Sequence, residues 1–598
     1  LSRWPPVGTL RLKAAVTPSS VAFDRTPSQD AITTTSTEGL VYVRLRPGPA
    51  AAAIIVLSLL VHGLQASALG LYWDDSVQLL QPLQGVDHEP IAFVLTDTSW
   101  SLRSERPFAF VAFALTRLAF LHSVAAVHWV LVGLLTLNAI AIAAVARRLV
   151  DQDWFGFAAA AIFVTYPLAP LQPLWAATVH YHVGCLLTLV SILCLDPGSP
   201  KSLRHPRWLT VGGFAAYLAA LLTHEGLALI PPAFFAGRWL YAQEERPRFT
   251  RLLVGFTAIL AIAAVWRTVI LPTYGEQLYH LSSDRLAPGT FLRSMAQAVI
   301  AAFAPWRITL HYVRRPSSNA ADWAPAAAGA AAIVGCTCVA LIRRAGSGQD
   351  RQYWCALTTA MGMLAAAGIA LAGSPIGIDY LFGLSYGARG NFVALPGIAI
   401  ALPALAGALR LPGLVTGAAL AGMVFVGSLL HFTVKQAFAR EWEAHKTRFE
   451  TLGALAPRLA DNSLVIIFDE RDRRAPFADH YEMSSYVLAL YGDWSLLANT
   501  TRHLRFYRDG VEATYHGVPG QWFAPGKRGV IAPERLQPVG RIGYDRVVLF
   551  RNDHGRLRAV ADTVVATEDG AAVLLHSNVN RILQGAPPTT RTWRHIMR

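Results

Sequence analysis

Charge is scarce in this chain. Only 15% of its 598 residues are charged, against 53% hydrophobic, whereas an ordinary soluble domain carries about 25% charged residues. Cysteine is scarcer still. Cys185, Cys194, Cys336, Cys338 and Cys355 all lie in or at the start of apolar runs, and none follows Cys355. No disulfide can form within the polar C-terminal part, and Cys336-Thr337-Cys338 lacks the spacing and second ligand pair of a zinc site. Methionine is also rare: residue 1 is Leu and the first methionine is Met295. Residues 1–49, with a Thr/Ser/Pro-rich stretch from Thr17 to Thr37, are expected to be a disordered or misassigned N-terminal extension. Long basic stretches with interleaved aromatics are missing too, so the net charge of +14 does not indicate nucleic acid. Membrane topology and anionic lipid account for much of it.

What the chain has instead is apolar runs of roughly 17 to 24 residues, the length a helix needs to cross hydrocarbon. The candidate spans are 50–70, 127–147, 154–170, 177–195, 208–223, 226–242, 251–271, 324–343, 354–373, 391–409 and 413–434. These predict a polytopic α-helical membrane protein of about 11 spans. The first run has no persuasive cleavage site and reads as an uncleaved first helix. With the N-terminus cytoplasmic, Arg147-Arg148, then Lys201, Arg204 and Arg207, then Arg238, Arg246 and Arg248, then Arg343, Arg344 and Arg351, and last Arg410 fall on alternate, inner loops. The other loops, and everything after 434, then lie outside, as expected of a protein in a bacterial inner membrane.

Residues 435–598 change to a water-soluble composition. Leu464–Phe468, Arg546–Phe550 and Arg556–Val560 read as strands, Asn552–Gly555 as a turn and Trp442–Leu459 as a helix, predicting a small C-terminal α/β extracytoplasmic domain. The first outer loop, 71–126, exceeds a simple connector. Its second half, from Arg106-Pro107-Phe108 to Phe120, reads as an amphipathic interfacial helix, as does 286–312. Residues 50–434 form the membrane domain.

The chemistry-bearing residues gather on the outer side. Asp74-Asp75 sits where the first span leaves the membrane. Two adjacent carboxylates there lose hydration and repel each other, an arrangement suited to proton transfer. Asp75 could alternatively cap a helix starting near Ser76. Trp175 with His180-Tyr181-His182, His224-Glu225 and Arg389 share that side, and Arg267 with Tyr274 reads as a pair of interfacial anchors. His180-x-His182 without a third ligand is too little for a metal site, so none is assigned.

Four features resemble the GT-C superfamily of polytopic glycosyltransferases, in particular bacterial relatives of the protein O-mannosyltransferases. They are the acidic pair in a long first outer loop, Arg106-Pro107 opening an interfacial helix, Leu222-Thr223-His224-Glu225-Gly226, and Arg389 with Leu395-Pro396. The resemblance covers roughly residues 50 to 434 and implies inverting transfer of a sugar from a polyprenyl-phosphate carrier to a glycan, lipid or protein acceptor on the outer face. It makes Asp74 the general base with Asp75 in support. Arg106, His180, His182, His224, Glu225 and Arg389 become substrate-binding residues, Arg389 first for the carrier phosphate because a guanidinium matches its oxygens. No cofactor is assigned; a divalent cation is compatible with the acidic pair, although two carboxylates alone are an incomplete site. His224 departs from the family's lysine, and His180-Tyr181-His182 from the usual Arg and acid. The alternatives are a transporter or flippase of lipid-linked saccharides, an O-antigen-type polymerase and a non-catalytic envelope assembly protein. A transporter would more often place its acids near mid-membrane.

Overall fold

In the computed structural model, the described residues are 48–598 apart from 73–74, 96–105, 169–171, 197–206, 271–288, 290–319, 345–349, 373–390, 469–479, 494, 501–503, 516–517, 520–521, 524–537, 540, 554–555, 568, 587, 589 and 598. Asp74 and Arg389 lie outside the described residues, as does nearly all of the candidate interfacial segment 286–312.

A helix occupies each of the apolar segments read from the sequence. Among the described residues, 8 helices are long and apolar enough to cross a membrane, and Asp153–Thr165 and Arg207–Thr223 are shorter apolar helices. The basic ends of several helices meet. There Arg148 donates to the carbonyl of Asp196, Arg238 donates to the carbonyl of Arg148 at 2.8 Å, and Arg248 donates to the carbonyl of Leu195 at 2.5 Å. Arg351 likewise donates to the carbonyl of Tyr241 at 2.8 Å, and Arg410 pairs with Asp350. Guanidinium groups thus satisfy helix-terminal carbonyls that have no partner within their own helices. The first helix, Pro49–Ser58, loosens into a π-helical turn, Leu59–Gly63, before reaching the opposite end.

The last span does not stop at 434. Gly413–Leu455 is one helix of 43 residues, about 64 Å long, roughly twice the hydrocarbon thickness. The segment read as a separate helix from Trp442 is its continuation. Beyond the apolar portion, Phe438, Trp442, His445, Phe449 and Leu452 recur at three- and four-residue spacing and are all buried, so an amphipathic face replaces an all-round apolar one.

That face receives the C-terminal region. Its sheet has the order Arg556–Ala559, Val547–Asp553, Leu464–Phe468, Leu497–Thr500, the last three mutually parallel and the first antiparallel. The helix His480–Tyr491 lies in the connection between Leu464–Phe468 and Leu497–Thr500, as parallel pairing requires. Side chains alternate across the sheet. Val465, Ile467, Val548 and Phe550 join Trp442, Phe449 and Tyr486 in one core, while Leu464, Ile466, Val547 and Leu549 join Val511 and Ile542 in another. The observed strands match the α/β expectation, with Val547–Asp553 running through the residues read as the start of a turn.

Candidate functional site

The end of the bundle opposite the arginine cluster carries the polar residues. Asp75 follows the first helix closely in the chain. Asp75 is fully buried. Its carboxylate accepts from the backbone N–H of Tyr72 at 3.1 Å, of Ala176 at 3.2 Å and of Ala177 at 2.7 Å. Ala176 and Ala177 belong to the short turn Ala176–Thr178 that leads into the helix Val179–Leu195. Asp75 therefore ties the segment after the first helix to the start of the helix Val179–Leu195, rather than capping only the segment that follows it.

Ala177 joins this turn to the next group. Its carbonyl accepts from Nδ1 of His180 at 2.9 Å. A proton on Nδ1 leaves Nε2 as an acceptor, and Arg106 Nη1 lies 3.4 Å from it. Arg106 in turn grips Glu225 through two bonds, Nε to Oε2 at 2.8 Å and Nη2 to Oε1 at 2.5 Å. Arg267 approaches the same Glu225 Oε2 at 3.5 Å. Both arginines and the glutamate stay partly accessible, with 36%, 19% and 32% of the Arg106, Arg267 and Glu225 side chains exposed. Partial enclosure pushes the Glu225 carboxyl up, but Arg106, through its charge and hydrogen bonds, helped by His224 and Arg267, holds it well below the ordinary carboxylate range. The result is an ionised carboxylate gathering two guanidinium groups at a half-open edge.

Local sequence explains these positions. Arg106 directly precedes the helix Ala109–Phe120, which is fixed to the next span end by the N–H of Phe108 donating to the carbonyl of Leu222 at 3.1 Å. Glu225 stands on a one-turn helix, Glu225–Leu227, between two spans, where Gly226 N–H donates to His224 Nδ1 at 3.0 Å. The ring of His224 thus caps this turn. Its ring stacks on His180 with centroids 5.4 Å apart and meets Tyr181 at 3.9 Å.

The structure thus brings together Asp75, His180, Arg106, His224 and Glu225. It does not bring His182 to them. Two residues along a helix rotate a side chain by about 200°, so His182 points away from His180, packs against Phe392 at 4.8 Å and is fully buried. Arg267, read from the sequence as an anchor, is the residue that joins instead. Among the described residues no three His, Cys, Asp or Glu side chains are placed to hold a metal ion.

No protein-family model matches the chain, and no curated protein matches it. Two solved structures of ArnT from Cupriavidus metallidurans do. The one bound to undecaprenyl phosphate is 12% identical, with 69% of this chain and 82% of that one covered and a TM-score of 0.36. The apo state is 15% identical, with 70% and 81% covered and a TM-score of 0.38. Both matches are to ArnT, and neither is to one of the protein O-mannosyltransferase relatives named by the sequence resemblance.

Proposed function

We propose that this chain is a membrane glycosyltransferase that moves a sugar from a polyprenyl-phosphate carrier to an acceptor hydroxyl on the outer face, with inversion. The observation that carries the reading is the connected set from Asp75 through Ala177 and His180 to Arg106, Glu225 and Arg267, at one end of an apolar bundle. In the reaction Asp74 takes the proton of the acceptor hydroxyl as its oxygen bonds to the anomeric carbon. The bond from that carbon to the phosphate oxygen breaks on the opposite face, and the polyprenyl phosphate leaves with the electron pair. Asp75 supports Asp74 by fixing the turn. The departing phosphate gains negative charge and needs cations already in place. Arg106 and Arg267 supply two, oriented by a single carboxylate, and Arg389 is proposed as a third. The prenyl tail remains in lipid beside the helices.

A second reading, transport of a lipid-linked saccharide, draws on one observation. Lys435 and the edge-to-face pair His62 and His431 are buried together between helices, with Lys435 Nζ donating to the carbonyl of Val61 at 2.6 Å. Intramembrane ionisable groups often mark substrate paths. Comparing lipid-linked sugars and envelope glycans with and without the protein separates the two. Transfer predicts accumulation of one polyprenyl-phosphate sugar on the outer leaflet and loss of one glycan. Transport predicts that the same lipid accumulates on the inner leaflet.

A further inference from the structure

The segment leading into the acidic pair is held by His128 and by three aromatic residues more than 350 positions later, Phe438, Trp442 and Tyr486. Gly70 lies under the indole of Trp442 so closely that a Cβ on it would stand 1.9 Å from Trp442 Cδ2. The Gly70 carbonyl accepts from His128 Nε2 at 2.8 Å, and its N–H donates to Tyr72 Oη at 2.9 Å. Next, the carbonyl of Leu71 accepts from Tyr486 Oη at 3.0 Å. Tyr72 then meets Phe438 edge to face with centroids 4.9 Å apart. Leu71, Tyr72 and Tyr486 are fully buried, and Trp442 is nearly so.

A second grip lies on the other side of the pair. Thr592 Oγ1 donates to Gln84 Oε1 at 2.7 Å and lies 3.1 Å from His88 Nε2. Thr592 belongs to the C-terminal helix Arg591–Met597, whose Trp593 and Ile596 are buried and whose His595 donates to the carbonyl of Phe120. Trp593 packs on Phe449, which packs on Tyr486, so both grips share one core. The segments before and after the acidic pair in the sequence are thus anchored to the same C-terminal unit.

We infer that the C-terminal unit is the positioning element of the active site, with Trp442 and Tyr486 as positioning residues that set the acidic turn. This rests on the glycosyltransferase reading, since a base must sit within hydrogen-bond reach of the acceptor hydroxyl and small displacements slow the reaction steeply. A unit that merely decorated the bundle would have no reason to place an aromatic ring against the glycine that starts the turn.

The test uses the purified full-length protein in lipid vesicles with its polyprenyl-phosphate sugar donor. Tyr486→Phe removes only the hydroxyl and should lower turnover roughly five- to tenfold with donor KM unchanged. Gly70→Ala drives a methyl group into the indole and should lower turnover by more; adding Trp442→Leu should restore much of the loss, although Trp442→Leu alone removes packing. Limited proteolysis gives an activity-independent readout: cleavage between 73 and 108 should rise in Tyr486→Phe and Gly70→Ala and fall back in the Gly70→Ala, Trp442→Leu double variant. Wild-type turnover and cleavage in Tyr486→Phe and Gly70→Ala would overturn the inference, as would a Gly70→Ala defect that Trp442→Leu leaves untouched. If the wild-type protein transfers no sugar, the enzymatic reading fails, and the cleavage pattern still decides whether the C-terminal unit sets the turn.

Discussion

Glu225→Gln tests the cationic seat most sharply, because it keeps the shape of the side chain and removes its charge. Arg106 presents Nε and Nη2 to the two carboxylate oxygens at 2.8 and 2.5 Å. A glutamine can accept one of these bonds, but its amide nitrogen must then face the other N–H. A hydrogen bond to a charged group contributes about 1.5–3 kcal/mol. With both side chains roughly a third exposed, solvent lowers that to about 1–2 kcal/mol. Expressed as lost placement of Arg106 and Arg267 in the transition state, it corresponds to roughly five- to thirtyfold in single-turnover transfer. The pH dependence follows from the same pair. Burial raises the Glu225 carboxyl, yet Arg106 dominates and depresses it below its ordinary 4.5. The contribution of a depressed carboxylate is complete above its unfolded pKa and is lost only as pH falls through the lower folded value. The Glu225→Gln deficit should therefore stay constant between pH 8 and pH 5 in vesicles at matched protein abundance. A deficit that disappears at pH 5, or transfer equal to wild type throughout, would refute the seat.

Asp75→Asn should destabilise the protein as well as slow it. One amide oxygen cannot serve the three backbone N–H groups of Tyr72, Ala176 and Ala177, and a buried donor left unpaired costs about 1–3 kcal/mol; an unchanged melting temperature in detergent would contradict this. Orientation is tested by reporter fusions after Pro457 and within 196–207, which should report opposite sides, the first outside. An inside report after Pro457 would remove the shared outer face.

The helices were legible because crossing hydrocarbon demands long apolar runs. Arg106 and Glu225 were both visible as candidates, but not as partners, since a separation of 119 positions carries no signal of pairing. Arg267 was hidden by the ordinary tendency of span-end arginines to reach toward water. Its signal lay in its position at the same end of the bundle as Glu225. His182 was grouped with His180 by adjacency, where helical rotation separates them. The bonds of Asp75 to Ala176 and Ala177, and of Tyr486 to Leu71, depend on tertiary placement alone. The continuation of Gly413–Leu455 past 434 could have been read from Phe438, Trp442, His445, Phe449 and Leu452, whose spacing keeps one helical face apolar across the change in composition.

The central claim is that Asp74 removes the acceptor proton while the carrier's phosphate departs. Single-turnover transfer from a defined polyprenyl-phosphate sugar, with Asp74→Asn at matched membrane abundance, tests it most directly. Transfer should fall roughly a hundredfold or more with donor affinity little changed. Near-normal transfer by Asp74→Asn would reject that base, and near-normal transfer by the Asp74→Asn, Asp75→Asn double variant would contradict the glycosyltransferase mechanism itself.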